Sequence, residues 1–166
     1  MKRILILSLI LVLICPFYVR ANEEEHLAVN AKSAILIETS TGKILYEKNK
    51  DERLSVASLT KMMSQILILE AHEQGNLDWN EKITASSNAA GYGGTQIYLE
   101  PGEEMTAEDL MKGISMASAN DATVALAERV AGSEEKFVEM MNNKVKELGL
   151  QNTNFVNPTG LDEDNN

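Results

Sequence analysis

Apolar residues change their spacing several times along this chain, and each change predicts a different element. Ile4 to Cys15 is a run of about 12 residues, apolar but for Ser8, behind Lys2 and Arg3. Residues 22–31 (NEEEHLAVNA) are acidic and carry no period, which predicts a short solvated lead-in. Ser33–Glu38 and Lys43–Tyr46 are β-type runs around a Gly42 turn and read as a hairpin. From Leu54 to Leu69 the period becomes helical. Leu59, Met62, Met63, Ile66, Leu67 and Leu69 make so wide an apolar surface that the helix should be buried on most sides, with Gly75 as its stop. Residues 76–105 are rich in turns, with short candidate strands at Lys82–Thr84 and Gln96–Leu99. Thr106 and Asp109 resemble a capping box opening a helix through Ala117. A break at Ser118–Asn120 precedes a helix from Asp121 to Val130, and Gly132-Ser133 starts another that ends at Gly149. Asn152–Val156 has the composition of a short strand, and Asn157–Gly160 that of a turn.

The N-terminal run changes what counts as the folded chain. It is short of the roughly 20 residues that span a bilayer. Val19 and Ala21 suit a signal-peptidase cut before Asn22, so residues 1–21 are expected to be a signal peptide that exports the protein to the extracytoplasmic side. Cleavage removes Cys15, the only cysteine, and with it any disulfide or thiolate ligand. It also removes Lys2, Arg3 and Arg20, taking the formal charge from -10 to -13. So acidic a body argues against nucleic acid or anionic lipid as a partner.

Ser-x-x-Lys occurs three times, and on the order of one is expected by chance. Ser40–Lys43 lies in the hairpin turn. Ser133–Lys136 opens an acidic helix, where Ser133 is explained as the N-cap. Ser58–Lys61 differs: Lys61 is the only charge between Arg53 and Glu70, among Leu59, Met62 and Met63. Apolar surroundings disfavour the ammonium form and lower the amine's pKa. A base working near neutral pH needs a fall of about three units, roughly 4 kcal/mol. At i and i+3 the two side chains share a helix face, and the helix N-terminus favours an oxyanion. The competing reading is a capping serine with a lysine that snorkels to solvent.

Ser118-Ala119-Asn120 is a second polar group, set between two mostly apolar helices. Its plain reading is a C-cap followed by an N-cap. Ser86-Ser87-Asn88 repeats the spacing in a loop, so the pattern alone is weak. Other chemistries fare worse. His26 lies in the lead-in, and His72 is 14 residues beyond Ser58, roughly 21 Å along a helix, which excludes a Ser–His–Asp triad around Ser58. The histidines and the missing mature cysteine make a zinc site improbable. Gly91–Gly94 matches neither a phosphate loop nor a dinucleotide fingerprint.

Taken together, Ser58-Leu-Thr-Lys61 and Ser118-Ala-Asn120 resemble the penicillin-recognising serine enzymes. Ala34–Ile37, Gly42–Asn49, Ala57–Met63, Gln96–Thr106, Leu110–Gly113, Ala117–Ala122 and Asn157–Leu161 look, in order, like secreted D-alanyl-D-alanine carboxypeptidases, the low-molecular-mass penicillin-binding proteins. The resemblance spans residues 32–166. It implies an α/β (α+β) fold of the β-lactamase/transpeptidase type, an antiparallel sheet with a helical subdomain. It further implies Ser58 as nucleophile, Lys61 as its base, Ser118 as proton carrier to the departing D-alanine, and Asn120 as orienter of substrate and Lys61. The implied substrate is the D-Ala-D-Ala end of a peptidoglycan stem peptide, with β-lactams as acylating inhibitors and neither metal nor organic cofactor.

One feature of that family is missing. Lys-Thr-Gly or Lys-Ser-Gly, its third motif, occurs nowhere in residues 1–166. In the family it lies on a later strand, so this chain is expected to be an N-terminal piece holding only the first hairpin and the helical part. Any membrane anchor would then lie beyond Asn166. Such a piece should fold poorly, with an unpaired sheet edge, and turn over little or nothing. Two rivals remain. A β-lactamase would use a deacylating glutamate, and Glu139 with Asn143 has the spacing but falls too soon after Ser118, within a long helix. A non-catalytic wall-binding module would have no reason to keep all four residues.

Overall fold

A computed structural model describes residues 27–161. The expected signal segment therefore lies outside the described residues. The chain divides into two compact units at Lys50 and Asp51.

The first unit is the expected hairpin. Strand β1 (Ala34–Ile37) pairs antiparallel with β2 (Ile44–Lys48), Ala34 opposite Lys48 and Leu36 opposite Tyr46. Glu38 organises the turn: its carboxylate accepts from the backbone and hydroxyls of Ser40 and Thr41, and Gly42 supplies a φ of 71°. These bonds, Ser40's hydroxyl first, pull the Glu38 carboxyl down to about 2. Residues 27–29 of the lead-in are tied to the hairpin, which their composition does not predict. Tyr46 Oη donates to Leu27 O, and Lys48 Nζ to Ala28 O and Val29 O.

The second unit is helical. A 3₁₀ turn (Ala57–Thr60) runs into α1 (Lys61–Glu73); β3 (Lys82–Thr84) precedes the short α2 (Ser87–Ala90). Strand β4 (Glu104–Thr106) pairs antiparallel with β3 and leads into α3 (Ala107–Ala117), then α4 (Asn120–Ala131) and α5 (Glu134–Glu147). Caps fall where the sequence puts them. Thr106 Oγ1 accepts from Asp109 N, and Ser133 Oγ from Lys136 N. Ser86, which sequence leaves as a loop-shaping residue, caps α2 through Ala89 N.

Helix α4 is the centre of this unit. Residues 120–127 (NDATVALA) are all buried, because α1, α2, α3 and α5 each pack against it. Small side chains let these helices approach closely, and Ile68, Leu110, Leu126, Phe137 and Met141 fill the core between them.

Three expectations fail. Gln96–Leu99 forms no strand, because the Ile97 and Leu99 N–H groups bond the buried Asp121 carboxyl instead of a neighbouring strand. Asn152–Val156 forms none either; Phe155 exchanges bonds with the Asn142 side-chain amide, through its own N–H and its C=O. Helix α1 is not buried on most sides. Met63, Leu67 and Ile68 face the core, but Leu59, Met62, Ile66 and Leu69 stay 39–65% exposed, since the second unit offers nothing to cover that face.

Candidate active site

The chain enters α1 under strain. Ala57 has φ +47°, a left-handed conformation costly for a residue with a Cβ, and the 3₁₀ turn it opens carries Ser58. Ser58 is exposed, whereas Lys61, the first residue of α1, is 2% exposed. Their side chains meet: Lys61 Nζ lies 3.1 Å from Ser58 Oγ. The snorkelling alternative is thereby excluded, since the amine turns inward.

Lys61 Nζ has a second partner, the Thr159 carbonyl at 3.0 Å. Both partners are neutral, and among the described residues no carboxylate forms an ion pair with this lysine. Burial therefore acts unopposed and lowers the pKa of the Lys61 amine from its ordinary 10.5. A hydroxyl at hydrogen-bond distance from an amine that gives up its proton readily is the arrangement of a nucleophile with its base.

Sequence gives no hint of the Thr159 contact as chemistry. The turn around it is docked along α1. Ser64 Oγ donates to Pro158 O at 2.6 Å, and Gly160, with φ +74°, sits against the nucleophile turn. A Cβ on Gly160 would lie 1.9 Å from Ala57 O. The signal for this docking was Ser64, a polar residue one turn beyond Lys61 on the buried face of an apolar helix.

Ser118 and Asn120 lie at the junction of α3 and α4. Ser118 is the C-cap of α3 at φ +56°, and Ala119 occupies the N-cap of α4 without a side-chain cap bond. The C-cap half of the capping reading holds for Ser118, whereas the N-cap half does not, and it leaves the Asn120 amide unexplained. Asn120 Nδ2 donates to Gly93 O at 2.8 Å, and Asn120 N to Thr95 O at 2.7 Å. Gly94 is required beside it, since a Cβ there would lie 2.6 Å from Asn120 Nδ2. Asn120 Oδ1 is buried and has no hydrogen-bond partner among the described residues, and a stranded acceptor costs about 1–3 kcal/mol.

Asp121 is a further residue that sequence reading passes over. It is fully buried, and its carboxyl accepts from Ile97 N, Leu99 N and Ala122 N, fixing the 95–99 segment to the start of α4. The structure thus joins Ser58 directly to Lys61, and places Ser118 and Asn120 at the head of the helix packed on α1. Neither Ser118 nor Asn120 bonds Lys61 among the described residues. The discarded candidates stay apart: His72 stacks on Trp79 with Nδ1 against Leu77 O, and Glu139 and Asn143 are exposed. Among the described residues no three His, Cys, Asp or Glu side chains converge as a metal site.

Comparison with known proteins meets this geometry from outside. Residues 20–166 match a family described as D-alanyl-D-alanine carboxypeptidase. The chain is 52% identical over 170 residues to D-alanyl-D-alanine carboxypeptidase DacF of Bacillus subtilis, covering 99% of this chain and 44% of that protein. Among solved structures, the D-alanyl-D-alanine carboxypeptidase DacD of Francisella tularensis superposes with a TM-score of 0.78 at 39% identity, over 81% of this chain and 32% of that one. Penicillin-binding protein D2 of Listeria monocytogenes, solved in its ampicillin-bound form, gives 0.71 at 33% identity, over 82% and 54%. The chain thus spans less than half the length of the Bacillus relative. With its mixed α/β architecture and a match reaching over nearly all its residues, the chain belongs to the D-alanyl-D-alanine carboxypeptidase family.

Proposed function

We propose that this chain carries the nucleophile and base of a serine-type D-alanyl-D-alanine carboxypeptidase acting on peptidoglycan stem peptides. The single observation that carries the reading is the 3.1 Å approach of the buried Lys61 amine to Ser58 Oγ. Neutral Lys61 takes the Ser58 proton as Oγ attacks the carbonyl carbon between the two terminal D-alanines. The C–N bond then breaks, and Ser118 relays the proton that Lys61 has taken up to the leaving D-alanine amine, which leaves Lys61 neutral again. Water hydrolyses the Ser58 ester and restores the hydroxyl. Asn120, whose Oδ1 has no partner among the described residues, orients the substrate. Its Nδ2 is already committed to Gly93 O, which fixes the amide's orientation.

The same Ser58 is the site of β-lactam acylation in this reading, in keeping with the ampicillin-bound form of the Listeria relative. Export by residues 1–21 belongs to this reading, and Lys-Thr-Gly does not occur in residues 1–166. Among the described residues no helix is long and apolar enough to cross a membrane.

Fluorescent penicillin tests the reading on the full-length gene product. It should label the protein covalently, leave it slowly, and fail to label Ser58→Ala. Rapid hydrolysis of penicillin would favour a β-lactamase. Absence of label on the wild type would leave a non-catalytic module.

A further inference from the structure

Helix α1 and the turn before it present Ala57, Lys61 and Ser64 along one face, at i, i+4 and i+7. The segment Pro158-Thr159-Gly160 runs down that face in the opposite direction. Pro158 O takes Ser64 Oγ, Thr159 O takes Lys61 Nζ, and Gly160 closes on Ala57. Both hydrogen bonds are made by the turn's backbone. What holds the backbone in place is one side chain. Asn157, 4% exposed, accepts at Oδ1 from Gly160 N (2.7 Å), Thr159 N (3.1 Å) and Thr159 Oγ1 (3.2 Å), and donates from Nδ2 to Leu161 O (2.7 Å). The Thr159–Gly160 peptide is therefore gripped at both ends, its N–H by Asn157 and its C=O by Lys61. Donation from the N–H polarises the carbonyl and strengthens it as an acceptor.

We propose that Asn157 is a positioning residue for Lys61: through the Thr159–Gly160 peptide it fixes the carbonyl that claims one N–H of the amine and so turns the amine's lone pair toward Ser58 Oγ. The inference rests on the base role of Lys61 set out above. An amide suits this task because it carries no charge. An aspartate at 157 would keep the oxygen that gathers the turn, but its charge would favour the ammonium form. The two hydrogen-bond partners of Lys61 Nζ among the described residues are neutral: Ser58 on the 3₁₀ turn and the Thr159 carbonyl. On α4, which packs against α1, the Asp121 carboxyl is occupied by the N–H groups of residues 97, 99 and 122, and on α5 the Lys144 amine is paired with Glu70 and Glu147.

The test measures the second-order rate of penicillin acylation against pH for the full-length wild type, Asn157→Ala and Asn157→Asp, with a thermal melt of each. Asn157→Ala should fold and acylate about 10–100-fold more slowly across the pH range, the scale of a misplaced catalytic group. Asn157→Asp should approach the wild-type rate only at alkaline pH, its rising limb displaced upward by about one unit or more. Should Asn157→Ala fail to fold, the Asp profile decides alone, since Asp retains the acceptor. The inference is overturned if Asn157→Ala matches the wild type, or if Asn157→Asp loses rate without any displacement of the profile. A labelled wild type with unaltered variants defeats this inference alone, whereas an unlabelled wild type defeats the carboxypeptidase reading and this inference with it.

Discussion

In the helical unit Leu126, Phe137 and Met141 are fully enclosed, while in the hairpin Leu36 and Leu45 remain 51% and 54% exposed. Both units are rich in large apolar residues, so composition does not separate them. Partners do. Helices α1, α3 and α5 each close one side of α4 and complete a core within residues 51–161. Successive hairpin residues Ile35, Leu36 and Ile37 point to alternate faces and are all 45% exposed or more, the pattern of a strand built for cover on both faces. Every residue of the candidate site lies in the unit that supplies its own core. Helix α1 with the turn before it shares both characters: Lys61 and Ser64 face inward, and Leu59, Met62, Ile66 and Leu69 form an uncovered stripe.

Substitutions sharpen that contrast. The largest effect is expected from Gly160→Ala, where the new methyl group would overlap the Ala57 carbonyl at 1.9 Å. It should displace the turn from α1 and abolish acylation, as read by penicillin labelling. Next comes Leu126→Ala, which should cost about 2–5 kcal/mol in urea denaturation, as enclosed leucines do. Gly42→Ala has the same left-handed backbone as Gly160, with φ 71° against 74°, but nothing within 4 Å of the added Cβ. It should cost only the backbone penalty, about 1–2 kcal/mol. Smallest is Leu36→Ala in the 166-residue chain, expected near 0.5 kcal/mol as a surface change. A core-sized cost there would mean that the hairpin is covered, and the contrast would fail.

Much of this was legible because it rests on local rules. Hairpin, caps and helix boundaries follow from spacing, turn residues and N-cap chemistry within a few positions of one another. The Ser58–Lys61 pair was legible for the same reason, being one helical turn long. What sequence reading missed depends on long-range backbone bonds. Thr159 O reaches Lys61 across 98 positions, and Asp121 takes the N–H groups of residues 97 and 99 that would otherwise make a strand. Backbone carbonyls and amides carry no residue identity, so only the polar residues that anchor them, Asn157, Ser64 and Asp121, leave a trace. Helix α1 misled for a different cause: its apolar width reads as burial on two faces, but residues 51–161 cover only one.

The central claim is that the Lys61 amine is held largely desolvated beside Ser58, and therefore loses its proton more easily than an ordinary lysine. Its ionisation is observable directly, by following the Lys61 Cε and Nζ NMR signals of the uninhibited full-length protein through a pH titration, assigned by their loss in Lys61→Arg. The expected midpoint lies below the ordinary 10.5, because burial disfavours the ammonium form. A Lys61 that titrates at or above that value would contradict it.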